Sequence, residues 1–90
     1  MPTVHLPAAL ADHAAGSRRV DVAGATVGGV LAALGRTHPG VGHRVMDDQG
    51  VLRRHVNVFV NGESIRYLDG VDTRVGDGDE VWILPAVSGG

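Results

Sequence analysis

Val81-Trp82-Ile83-Leu84-Pro85-Ala86-Val87-Ser88-Gly89-Gly90 is the stretch around which the rest of the sequence is organised. Val81 to Leu84 is an apolar run with the character of a strand. Pro85 removes a backbone donor and fixes φ, so the strand is expected to end at Leu84. Ala86, Val87 and Ser88 carry no helix or turn signal, and Gly89 and Gly90 have no Cβ to widen the backbone near the final carboxylate. A tail of this kind can thread a narrow channel and present an α-carboxylate to a reagent inside it. Taken locally, the same residues favour a frayed end or a linker scar. The choice rests on what precedes them.

Ninety residues suffice for one domain with a modest core. We divide them into a compact unit, 1–84, and an extended tail, 85–90. No run approaches membrane-spanning length, and Met1-Pro2-Thr3-Val4-His5-Leu6 lacks the basic flank and long apolar stretch of a signal peptide. Cysteine is absent, which rules out disulfides, a thiolate nucleophile and Cys-ligated metal and points to the cytoplasm. All eight basic residues are Arg, so the sequence offers no side-chain amine for isopeptide links. Those Arg residues are scattered among ten acidic ones, and no basic face for nucleic acid emerges.

Thr3 to Leu6 alternates and is expected to be a first strand; Arg18 to Val22, with Val20 and Val22 inward, is a second, hairpinned to it. Pro7 to Ser17 gives no clear shape. Thr26 is a helix N-cap candidate, and Val27, Val30, Leu31 and Leu34 form one apolar stripe behind it. Gly28 and Gly29 cost about 1 kcal/mol each against Ala, which suggests close packing at the helix start. Gly35 or the Thr37-His38-Pro39-Gly40 cluster ends the helix. Residues 43–54 are read as a polar connection with Val45 and Met46 packed beneath it. His55 to Val60 is the clearest strand, Asn61-Gly62 a two-residue turn, Ser64 to Tyr67 a short strand, and Asp77-Gly78-Asp79 the turn into the last strand.

The order strand, strand, helix, strand, short strand, strand is that of an α+β, ubiquitin-like β-grasp: a mixed sheet with one main helix on one face and a flexible Gly-Gly tail. The last strand is expected at the centre, beside the first. If Val81 and Ile83 face the helix, Trp82 and Leu84 face away; if Val56, Val58 and Val60 face in, Phe59 faces away. Phe59, Trp82 and Leu84 would then form an exposed partner-binding patch, unless residues 43–54 fold over it. Ordering six tail residues costs ~6–12 kcal/mol. Burying the three patch residues on a partner returns ~5–9 kcal/mol. A partner that holds the tail extended therefore needs the patch beside it.

The element order, the Asp77-Gly78-Asp79-Glu80-Val81 turn into a strand and the ending Leu84 to Gly90 resemble the ThiS/MoaD family of ubiquitin-like sulfur carriers over nearly the whole sequence. Leu52 to Asn61 and Leu84-Pro85-Ala86-Val87 are most similar to the CysO type; molybdopterin-synthase small subunits more often have a second proline where Ala86 stands. The resemblance implies a protein co-substrate, not an enzyme, with Gly90 bearing a thiocarboxylate and Phe59, Trp82, Leu84, Pro85, Ala86, Val87, Ser88 and Gly89 engaging partners. The implied partners are a ubiquitin-activating-type adenylating enzyme that uses ATP and Mg²⁺ and a sulfur acceptor. The acceptor would be a cysteine synthase dependent on pyridoxal phosphate (PLP) or a thiazole-synthase-like enzyme. In the CysO type a zinc peptidase releases the product. No cofactor is expected to stay bound to the chain.

Other constellations carry less. His5, His13, His38, His43 and His55 show no ligand spacing on one element, so no metal site is expected. Asp77, Asp79 and Glu80 lack the spacing of a calcium loop. Three function classes follow: a sulfur carrier, for cysteine or for molybdopterin, thiazole or another sulfur-containing metabolite; a ubiquitin-like modifier of target lysines; and a β-grasp interaction module with an inert tail.

Overall fold

The computed structural model describes residues 1–85. Five strands, β1 (Thr3–His5), β2 (Arg19–Asp21), β3 (Val56–Val60), β4 (Glu63–Ser64) and β5 (Glu80–Pro85), form one mixed sheet of order β2-β1-β5-β3-β4. Three helices, α1 (Ala8–Ala11), α2 (Val27–Thr37) and α3 (Pro39–Val45), complete the fold with two short 3₁₀ turns, Ile65–Tyr67 and Gly70–Asp72. The last strand is central, parallel to β1 and antiparallel to β3. Val4, Val58, Val81 and Ile83 are buried on the sheet face that packs with Val27, Val30, Leu31 and Leu34 of α2.

Local chemistry explains why the chain turns where it does. The Thr26 hydroxyl caps α2, accepting the Gly29 N–H at 3.1 Å. A methyl group at Gly28 would sit 3.2 Å from the Val71 carbonyl oxygen, so the start of α2 does pack closely, on the second 3₁₀ turn. Asn61 and Gly62 have φ of 51° and 89°, the left-handed pair that a tight hairpin requires. Asn61 also ties that hairpin to the start of β5. Its amide donates to Asp79 Oδ1 and its side-chain oxygen accepts the Glu80 N–H, both at 2.9 Å.

Three sequence expectations change, and one choice is settled. Residues 43–45, read as the start of a connection, are the end of a helix over Pro39–Val45. Pro39 occupies the first turn, where its missing N–H costs nothing, and Val41 and Val45 are buried one turn apart. Of the two expected ends of α2, the Thr37-His38-Pro39-Gly40 cluster is the one used; Gly35 is where α3 crosses, and a Cβ on Gly42 would come within 2.7 Å of Gly35 Cα. The short strand is Glu63–Ser64 and does not run on to Tyr67, because the Ser64 hydroxyl accepts the Arg66 N–H and starts a 3₁₀ turn that buries Ile65. Pro85 belongs to β5, opposite Val56. Beyond Trp82 the strand β1 has ended, so β5 has a neighbour on one side only, where a missing donor is tolerated. The uncalled segment 7–17 contains α1. The flexible tail expected beyond Pro85 lies outside the described residues.

The turn before β5 is held by charge. Asp79 accepts from the Asn61 side chain and from the Gly76 N–H, and these bonds hold its carboxyl below the usual aspartate range. Asp77, hydrogen-bonded to the Met1 amine, is lowered too. A carboxyl lowered only in the folded state contributes fully above its unfolded pKa. That contribution disappears as pH falls through the folded value, because the unfolded chain takes up the proton first. Urea midpoints should therefore decline as pH drops below about 4, and Asp79→Asn should flatten that decline. Equal acid slopes for the two proteins would refute this role.

Candidate functional site

Alternation along β5 sets the site. Val81 and Ile83 are buried, whereas Trp82 and Leu84 are 40% and 38% exposed on the opposite face. The register brings Phe59, half-buried, directly opposite Trp82, and Asn57 opposite Leu84. Phe59, Trp82 and Leu84 thus share the face that the helices leave open. Residues 43–54 leave Trp82 and Leu84 exposed: α3 packs on α2, and Met46, Asp47, Asp48 and Gly50 line a cleft with Leu31 and Gly35 on the helix side.

The sheet adds a residue that the sequence reading passed over. His5 lies opposite Trp82 on β1, and the two rings stack with centroids 3.8 Å apart and planes 5° apart. His5 Nε2 is 2.7 Å from Glu80 Oε1, and its side chain is only 11% exposed. Stacked aromatic pairs contribute ~0.5–1.5 kcal/mol beyond burial, so His5 holds the indole flat on the sheet. One transverse row therefore runs Arg19, His5, Trp82, Phe59, Ser64 across all five strands. The signal for His5 was present in the sequence, since it alternates with Val4 and Leu6, but only the parallel pairing of β1 with β5 identifies its neighbour.

A groove lies at the tail end of β5, on the side where the helices pack, since the core-facing Val56 and Ile83 line it. Pro7, Leu10, Leu84 and Pro85 contribute to the apolar wall of a cavity of about 330 Å³, which Arg44 and His55, both exposed, also line. Pro85 is the last described residue of β5. The remaining sequence-predicted site residues, Ala86, Val87, Ser88, Gly89 and Gly90, lie outside the described residues. Among the described residues no group of three or more His, Cys, Asp or Glu side chains could hold a metal ion, and no helix is long and apolar enough to cross a membrane.

Taken together, the fold and the open aromatic face define a ubiquitin-like β-grasp protein. Residues 4–90 match the ThiS family, and the chain belongs to it. It is 42% identical to the sulfur carrier protein CysO of Mycobacterium tuberculosis over 90 residues, covering 98% of this chain and 97% of that one. The crystal structure of M. tuberculosis CysO superposes with a TM-score of 0.88 at 40% identity, over 97% of this chain and all (100%) of the other. A crystal structure of an Amycolatopsis orientalis BexX/CysO complex matches with a TM-score of 0.89 at 38% identity, with 100% of both chains covered. Small archaeal modifier protein 1 of Haloferax volcanii is 47% identical over 79 residues, or 84% of this chain and 86% of that one. The resemblance read from the sequence therefore holds, for the family and for the CysO type.

Adjacent positions on β5 should respond oppositely to the same change. Trp82→Asp leaves the core intact and loses one aromatic stack, so its unfolding free energy should fall by only about 1 kcal/mol. Ile83→Asp buries an unpaired carboxylate and should leave little folded protein at neutral pH. Circular dichroism with urea titration reads both. A Trp82→Asp protein that fails to fold would place the strand in the opposite phase.

Proposed function

We propose that the chain is a sulfur carrier of the CysO type, a protein co-substrate whose Gly90 carboxylate is the reacting group. The observation that carries this reading is the geometry of β5. It is held between two neighbouring strands, displays Trp82 and Leu84 outward, and leads directly toward Ala86 to Gly90. Membership of the ThiS family and identity to CysO over almost the whole chain support it. The A. orientalis complex supports docking of a carrier of this type on a partner protein.

The chemistry follows from the weakness of a carboxylate as an electrophile. An adenylating enzyme of the ubiquitin-activating type joins Gly90 to AMP, using ATP and Mg²⁺ and releasing pyrophosphate. A sulfur donor then displaces AMP and leaves a thiocarboxylate, whose sulfur is a strong nucleophile at neutral pH. The acceptor is a PLP-dependent cysteine synthase. There the thiocarboxylate sulfur adds to a bound aminoacrylate, an acyl shift moves the new cysteine to an amide bond on Gly90, and a zinc peptidase releases it. Ser88-Gly89-Gly90 suits entry into several narrow active sites in turn. The open face compensates for the cost of ordering the tail, and the absence of Cys and Lys keeps the body from reacting with its own activated end. All of this is cytoplasmic chemistry.

A second reading is a ubiquitin-like modifier, favoured by the 47% identity to the Haloferax modifier protein. A carrier for molybdopterin synthase or for a thiazole-synthase-like enzyme would share the activation step but return a plain carboxylate. One experiment separates these outcomes. The chain is incubated with its adenylating enzyme, ATP and sulfide, then with each candidate acceptor, and weighed. The CysO reading expects a thiocarboxylate and then a gain of one cysteine residue on Gly90. It also expects a variant with one residue added after Gly90 to fold normally and escape adenylation. Adenylation of the extended protein, or return to the carboxylate with no cysteinyl adduct, would refute it.

A further inference from the structure

The groove at the root of the tail is chemically unlike the open face, and the carrier reading leaves it unused. Its apolar wall comes from three separate parts of the chain: Pro7 and Leu10 at α1, Val56 of β3, and Ile83, Leu84 and Pro85 of β5. Two exposed basic side chains, Arg44 and His55, line it, and no acidic residue does. Arg44 uses one N–H on the Gly40 carbonyl at 3.0 Å. The two ion pairs among the described residues, Met1 with Asp77 and His5 with Glu80, involve no arginine. Arg53 and Arg54 immediately precede His55. Asp47, which shares a neighbouring cleft with them, accepts the Gln49 and Val51 N–H groups on Oδ1, both at 2.9 Å. A chain of net charge −2 thus presents positive charge where its tail departs.

We propose that this groove receives an acidic and apolar segment of a partner protein. An aliphatic or aromatic side chain fills the cavity, and a neighbouring carboxylate meets Arg44 and His55. The proposal deepens the carrier reading and rests on it, since partners reach the chain at its tail. The groove lies at the end of β5 from which the tail departs, so a partner that holds the tail passes beside it. Charge of this kind governs which partners approach and how fast, more than final affinity. The groove would therefore discriminate among enzymes that all accept a Gly-Gly end.

The test is a ¹⁵N–¹H NMR titration of the full chain with a short peptide alternating glutamate and leucine, and with its lysine-for-glutamate counterpart. The glutamate peptide should give saturable shifts at Leu10, Arg44, His55 and Leu84. The lysine peptide should bind at least about tenfold more weakly, and Arg44→Glu should reverse that preference. Raising salt to about 1 M should weaken the glutamate peptide markedly. Because Arg44 is exposed, an unchanged urea midpoint for Arg44→Glu verifies that the fold is intact. Equal binding of both peptides, or no saturable shift at these residues, would overturn the proposal. So would groove shifts that follow the protein's own concentration or the removal of residues 86–90, which would assign the groove to a second copy or to the chain's own end. None of these readouts involves chemistry at Gly90, so failure here leaves the carrier reading standing, and failed adenylation leaves the groove result standing.

Discussion

The structure depends on β5 being central while offering its two faces to different tasks. A strand at the middle of a sheet has its backbone groups paired with neighbours, here β1 over Thr3–His5 and β3 over Val56–Val60. Its side chains have no such freedom of arrangement, because the period of two sends them strictly to alternate faces. Val81 and Ile83 complete the core beneath α2, so Trp82 and Leu84 are obliged to face outward. The same pairing that buries half the strand therefore creates the aromatic row and anchors whatever follows Pro85. A one-residue slip of register would put the indole into the core and a core aliphatic into solvent.

That coupling explains why the fold suits a carrier. A reacting terminus must leave the body to enter another protein's active site, yet its departure point must be fixed, or the entropy of ordering the tail falls on the partner alone. Here the point of departure is held on one side by the β3 register and before that by β1, and the Asn61–Asp79–Glu80 hydrogen bonds fix the other end of the same strand. Beside it lie surfaces of two characters: a flat aromatic row organised by the His5 stack, and an apolar groove lined by positive charge. The first supplies contact area, and the second supplies discrimination.

Much of this was legible in the sequence because it is written in local patterns. Thr26 ahead of a regular apolar stripe, Asn61-Gly62 between apolar runs, and alternation at Val56 to Val60 each specify one element, and the order of elements specifies the β-grasp. Phe59, Trp82 and Leu84 could be assigned to the open face from alternation alone. What was missed depends on contacts between distant residues. The helix Pro39–Val45 contains two glycines and a proline in seven residues, a poor intrinsic helix former. It exists because Gly42 lets it lie against Gly35 of α2. His5 gave its face but not its neighbour, since β1 meets β5 across more than seventy residues of chain. The groove draws on α1, α3, β3 and β5 at once, and no window of sequence contains it.

The central claim is that Gly90 is carried in the cell as an activated sulfur species. The most direct measurement is the intact mass of the protein purified from its native cells, with fragmentation to locate any change. The account predicts a population heavier by the difference between one sulfur and one oxygen, localised to Gly90, which reverts to the carboxylate mass after alkaline hydrolysis. Protein ending at Gly90 that is found only as the plain carboxylate or as amide conjugates to other proteins, under conditions of active sulfur assimilation, would contradict it.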